Sequence, residues 1–319
     1  MSVTRIAAYA FEGTDITSVI IPGSVTAIGD GAFQNCESLT RVTLSEGLKT
    51  IGAGAFAETR FSSITIPDTV TVIGDGAFYL CYILSDIYFD SVESIGAYAF
   101  SECHSLESIE LPDSVSYIGE GAFATSGLTR VHFGSGIDSL GYDGGVDPTA
   151  FYGCYLEEVF IPKSVEKIYA PIFNPMGYYD PDHRMTVYYG GVDADYTDVA
   201  FAGLAESCFE NAFVYCYSVK EPSDSFGRYW HYDAYGEIVT WPRYSAGLKY
   251  TYYSNGTCAV SGIGSCTDTD VMIPPTAPNG YTVTTIAAAA FRDLETLYSV
   301  TLPDTVTSIK NVPFKTAKI

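Results

Sequence analysis

Two glutamates, Glu110 and Glu158, carry the spacing in this chain most open to a catalytic reading. Placed on parallel strands two apart, they would lie roughly 10 Å from each other. That is near the upper separation for an inverting glycosidase, where one carboxyl protonates the leaving oxygen and the other activates water. Such a reaction also needs a deep pocket and subsites that distort the sugar, for which the sequence carries no motif, so a non-enzyme is expected. The two glutamates belong to a wider set: Asp86, Tyr88, Glu110, Arg130, His132, Glu158, Phe160 and Tyr188. Charged and aromatic groups in a row suit recognition without chemistry. They can hold a protein loop by aromatic anchors and arginine pairing, or a sugar chain by ring stacking and carboxylate hydrogen bonds. The same composition also suits an ordinary solvent-facing sheet rich in strand formers.

Other reactive constellations are weak. No nucleophile elbow, phosphate loop, H-E-x-x-H or dinucleotide fingerprint occurs where strand and helix context would give it meaning. His104, His132, His183 and His231 sit in unrelated segments. Cys208, Cys216, Cys258 and Cys266 lack histidines at zinc-ligand spacing, and Asp193, Asp195 and Asp198 do not reproduce a calcium loop. No metal and no cofactor is expected. Asn255-Gly256-Thr257 is formally a glycosylation sequon, but a type I′ hairpin turn accounts for it.

The elements that would position these residues are read from a repeat. Phenylalanines preceded by alanine recur at Phe11, Phe33, Phe56, Phe78, Phe100, Phe123 and Phe151, with spacings of 22, 23, 22, 22, 23 and 28. A fixed period of this size marks a solenoid. Within each unit an L-x-x-V-x-L stretch, such as Leu39, Val42, Leu44 or Leu106, Ile109, Leu111, alternates as a half-buried strand does. Proline ends it at Pro22, Pro67, Pro112 and Pro162, and a second apolar stretch such as Val115 and Ile118 closes on glycine. No coil can bury its apolar face alone, so stacking must supply the core, and each repeated Phe is expected inside it. The residues flanking the central V then point outward. They are Ser18/Ile20, Arg41/Thr43 and Ser63/Thr65 in the early coils, and Asp86/Tyr88, Ser108/Glu110, Arg130/His132, Glu158/Phe160 and Thr186/Tyr188 later.

Cys36, Cys81, Cys103 and Cys154 each lie three residues after the Phe, where Thr14, Thr59 and Ser126 stand in other coils. A place that accepts Cys, Thr or Ser wants a small group with a weak hydrogen bond, which favours free thiols, although Cys81 and Cys103 stack within disulfide reach. The widened spacing before Phe151 marks an insertion at 141–148, and a second irregular stretch covers 174–183; both are open as binding loops or tolerated drift.

The repeat resembles the BspA-type leucine-rich repeats of bacterial surface proteins over about residues 3–169 and again 286–314. The resemblance implies a β-rich leucine-rich-repeat solenoid, right-handed, with a parallel sheet and one main strand per 22–23-residue coil, interrupted by a cap and hairpin region. The divisions expected are a solenoid over 1–189, a closing cap over 190–218, an aromatic hairpin or linker over 219–247, and a hairpin entering a second, incomplete array over 248–319. It also implies a surface or secreted adhesion module binding a host protein or glycan. A structural spacer within a larger surface protein is the alternative, and a carbohydrate-active enzyme fragment a more remote one.

Composition narrows the partners. Asp and Glu outnumber Lys and Arg 38 to 16, a net charge of −22, which disfavours nucleic acid and anionic membranes. No apolar run reaches the roughly 20 residues of a membrane span. The first residues lack the basic and apolar regions of a signal peptide and enter mid-repeat, so a segment of a longer protein, monomeric by itself, is expected.

Overall fold

The computed structural model describes residues 3–141, 145–168, 172–173, 185–191, 200–201, 213–218, 229–232, 238–241, 244–292 and 297–310. They fall in two compact units, Met1–Tyr217 and Ser218–Ile319. All regular structure among them is strand.

In the first unit each coil carries two strands, because both apolar stretches of the repeat pair with their equivalents in the next coil. The x-V-x stretches form parallel ladders: Ser18–Ile21 with Arg41–Leu44, Ser63–Thr65 with Asp86–Tyr88, and Ser108–Glu110 onward through Arg130–His132, Glu158–Ile161, Thr186–Tyr189 and Phe213–Tyr217. The V-x-x-I stretches form a second parallel ladder of two-residue strands, continuous from Arg5–Ile6 to Tyr117–Ile118 and resumed by Ser139–Leu140, Lys167–Ile168 and Ala200–Phe201. The stretch 190–218, read from the sequence as a closing cap without the repeat, therefore adds a strand to each ladder.

Between the two ladders the repeated phenylalanines stack. Ring centroids from Phe11 through Phe33, Phe56, Phe78, Phe100 and Phe123 to Phe151 are 5.1–5.7 Å apart, with planes within 12° of parallel. Phe33 to Phe151 are buried, whereas Phe11 in the first coil is 38% exposed, so burial of every repeated Phe fails at that position. Two residues after the Phe the backbone turns left-handed, at Asn35, Glu58, Leu80, Glu102 and Thr125. This conformation costs a non-glycine residue roughly 1–2 kcal/mol. It also lets the N–H donate to the next coil, as Glu58 N does to Tyr79 O at 2.8 Å and Glu102 N to Ala124 O at 3.0 Å.

The cysteines pin coil to coil in the same way. The thiols of Cys36, Cys81, Cys103 and Cys154 donate to the carbonyl of the Phe one coil earlier, at 2.9, 3.1, 3.2 and 3.0 Å. Thr59 and Ser126, which stand at this place in other coils, lie 3.3 Å from the Cys81 and Cys154 sulfurs. Cys81 and Cys103 are free thiols. Burial pushes the Cys81 and Cys154 thiols up from the usual 9.0 to about 11. A thiol whose folded-state pKa is raised keeps its full stabilising contribution below the unfolded value and loses it as pH climbs from 9 towards 11. Urea unfolding is therefore expected to show stability falling by about 2 kcal/mol per thiol across that window. Cys81→Ser should flatten part of the fall.

The insertion before Phe151 is built into the core. Val146 bridges Ile118 on one side and Leu140 on the other, Asp147 N donates to Ile118 O at 2.8 Å, and Val146 and Leu140 are both fully buried. Val146 stands five residues before its Phe, as Ile118 does, so it fills the regular place and Leu140 becomes an extra rung. The x-V-x ladder has no counterpart there, since Arg130–His132 pairs directly with Glu158–Ile161. Residues 142–144, and the whole of 174–183, lie outside the described residues, as do Asp193, Asp195, Asp198, His183 and Cys208.

In the second unit Tyr229–Tyr232 and Ile238–Thr240 form the aromatic antiparallel pair expected from the sequence, with Trp230 buried and the Trp241 Nε1 donating to Ser218 O at 2.9 Å. Its turn at 233–236 lies outside the described residues. Lys249–Tyr252 pairs antiparallel with Thr257–Gly262, which then pairs parallel with Thr282–Ile286 and so opens a repeat-like array around Val260, Val271, Val283, Ile286 and Phe291. The Asn-Gly turn is not type I′, which needs two left-handed residues. Only Gly256 is left-handed, and Tyr253 N donates to Thr257 O across a three-residue loop. The Asn255 side chain accepts from Thr257 N and Oγ1 instead, which holds asparagine out of the left-handed region.

Candidate binding face

The x-V-x strands place their central residue inward and its neighbours outward, as strand alternation requires. Ile109, Val131, Val159 and Val187 are buried; Asp86, Tyr88, Glu110, Arg130 and Glu158 are exposed, and His132, Phe160 and Tyr188 half-buried. Parallel pairing without slip turns these side chains into columns. One runs Glu110, His132, Phe160, Tyr188 and the other Ser108, Arg130, Glu158, Thr186, each residue the direct partner of the next. Asp86 and Tyr88 lie on the preceding ladder with Ser63 and Thr65. There Ser85 Oγ donates to Asp86 Oδ2 at 2.6 Å.

The ladder carries the first column one rung further than the sequence reading did. Tyr215 pairs with Tyr188, their ring centroids 5.8 Å apart. The signal was Phe213-Val214-Tyr215, an x-V-x triplet, hidden because the Ala-Phe pairs of that stretch, Ala200-Phe201 and Ala212-Phe213, run into the strands themselves and do not keep the 22–23-residue interval.

The rings pack on one another. His132 and Phe160 approach to 4.0 Å between centroids, tilted by 42°. Burial holds His132 below its usual 6.5, against the pull of Glu110 and Asp113, so its imidazole is neutral at pH 7. Tyr188 is raised, first by burial and then by Glu158 and Tyr215. The carboxylate of Asp113, at the end of the Glu110 strand, is lowered by the N–H of Ser135 at 2.7 Å.

Glu110 and Glu158 do not face each other. They stand in different columns, two strands across and two residues along, which places their Cα atoms about 12 Å apart by strand and residue spacings. The expected separation of roughly 10 Å took account of the strands but not of the offset along them. Among the described residues, no group of three or more His, Cys, Asp or Glu side chains could hold a metal ion. No helix there is long and apolar enough to cross a membrane.

Stacked coils with two short parallel ladders and a phenylalanine spine define a repeat solenoid of the leucine-rich class. The chain belongs to the BspA type Leucine rich repeat family, whose pattern matches residues 4–126, 73–144 and 274–319 in six copies. Among solved structures it is similar to a leucine-rich repeat protein from Bacteroides ovatus, at 23% identity over 96% of this chain and 78% of that one, with a TM-score of 0.38. A leucine rich cell surface protein from Faecalibacterium prausnitzii is also 23% identical, over 62% of this chain and 86% of its own, with a TM-score of 0.25. A T. pallidum leucine rich repeat protein is 32% identical over 43% of this chain and 56% of its own, with a TM-score of 0.32. No curated protein matches the sequence.

Proposed function

We propose that the chain is a non-enzymatic binding module of a bacterial surface or secreted protein, and that it recognises a host protein or glycan along the face built by Asp86, Tyr88, Glu110, Arg130, His132, Glu158, Phe160 and Tyr188. Membership of a family of bacterial surface repeat proteins supports the setting. The observation that carries the face is a contrast along the successive x-V-x ladders. The inward positions stay apolar in every coil, while the outward pairs pass from Ser18/Ile20, Arg41/Thr43 and Ser63/Thr65, where Arg41 is the charged group, to later pairs that each carry at least one charged or aromatic side chain. Core packing constrains the first set far more than the second, so the change along the second is the feature that a binding role would account for.

The test is an array of glycans and matrix proteins probed with the chain and with a variant carrying Tyr88→Ala, Arg130→Ala and Phe160→Ala. These side chains leave the spine untouched, so the variant is expected to stay folded and to lose at least tenfold in binding, as truncation of central aromatic and arginine anchors does. Equal binding by the two proteins would rule the face out and leave the spacer reading.

A further inference from the structure

We infer that this face takes a cationic polypeptide segment rather than a glycan, an inference that rests on the binding-face reading above. Sugar recognition by aromatic residues needs a free ring face on which the sugar can lie. Here the ladder turns the rings towards one another: His132 packs on Phe160 and Tyr188 on Tyr215, each only half-exposed. What remains outward on this ladder is the half-exposed part of each ring; Tyr88, 59% exposed, lies on the preceding ladder and outside this strip.

The charges flanking that strip are predominantly negative. Glu110 and Glu158 are exposed on the ladder itself, Glu107 and Glu157 are exposed at the starts of two of its strands, and Asp86 lies on the neighbouring one. Among these positions Arg130 is the cation, since His132 is neutral. Carboxylates in such excess repel acidic and sulfated glycans and attract lysine and arginine. Those side chains match the surface twice over: their aliphatic stems cover the half-exposed rings while their heads reach the carboxylates. The overall charge of −22 draws the same partner in from a distance.

The experiment uses the full chain and three probes: a fluorescent peptide containing lysine and leucine, its glutamine-for-lysine counterpart, and a neutral cello-oligosaccharide. Binding is expected from the lysine peptide alone, weakening as salt is added. Glu110→Gln with Glu158→Gln should lower its affinity about tenfold. Glu12→Gln with Asp15→Asn, which removes the same charge from the exposed first coil, should leave it unchanged. Equal weakening by both pairs would overturn the inference, because the attraction would then be to net charge and not to this face. Oligosaccharide binding that Phe160→Ala abolishes would overturn it too while upholding the face as a binding site. Failure of all three probes alongside strip-dependent binding on the array would sink the cationic partner and leave the binding face standing.

Discussion

Replacing Phe78 with alanine is expected to destabilise the first unit by about 3–5 kcal/mol, read as a fall in the urea midpoint. Phe78 is fully buried, stacked between Phe56 and Phe100 at 5.7 and 5.2 Å and met edge-on by Phe61 at 6.3 Å. Its loss removes contacts on both faces and one edge. The neighbours cannot close the gap, because each ring is fixed by the coil spacing of its own backbone. Phe11→Ala provides the scale: its ring stacks on one side and is 38% exposed, so about 1–2 kcal/mol is expected there. Equal costs at the two positions would show that the spine does not carry the core. Since each coil touches only its neighbours, amide exchange in Phe78→Ala should rise first around residues 50–110.

The second large effect is expected at Gly74, where alanine should cost about 3 kcal/mol. Gly74 is not left-handed, so its side-chain-free form answers to space and not to conformation. A Cβ there would stand 2.7 Å from Ala53 N and from Gly52 C, main-chain atoms of the preceding coil that ladder hydrogen bonds hold in place. Gly74 N itself donates to Ile51 O at 2.9 Å. The same approach recurs at Gly29 and Gly119, with 2.6 and 2.7 Å to the coil before. Gly76 makes the contrast. It is left-handed with φ 56° and has its nearest neighbour 3.6 Å away, so Gly76→Ala is strained but unobstructed and should cost about 1–2 kcal/mol. Urea midpoints in the order wild type, Gly76→Ala, Gly74→Ala would follow from this packing. A harmless Gly74→Ala would mean that the coils sit further apart than the ladders require.

The solenoid was legible because its core repeats. Ala-Phe at a fixed interval, apolar residues alternating before proline, and interchangeable Cys, Thr and Ser at one place each reflect a contact made again in every coil. What escaped was set by relations between coils. The left-handed turns at Glu58, Leu80 and Glu102 carry no glycine or asparagine to announce them, since a hydrogen bond to the next coil offsets the strain. Val146 looked like part of a loop because the spacing to Phe151 was counted from Phe123; counted back from Phe151 it occupies the place of Ile118. Tyr215 was missed because the Ala-Phe pairs at 200–201 and 212–213 fall out of the regular interval. The outward character of Glu110, Arg130 and Glu158 followed from alternation alone, but their division into two columns, with Glu110 and Glu158 offset by two residues, needed the register.

The claim at the centre of this account is that inward positions build the scaffold and the outward positions of the later coils bind. A photoreactive residue at position 160, compared with one at position 43 in the equivalent outward place of an earlier coil, tests it directly with whichever array ligand the wild-type chain retains. Cross-linking from 160 and none from 43 is the predicted result. Cross-linking from 43 with none from 160 would contradict it.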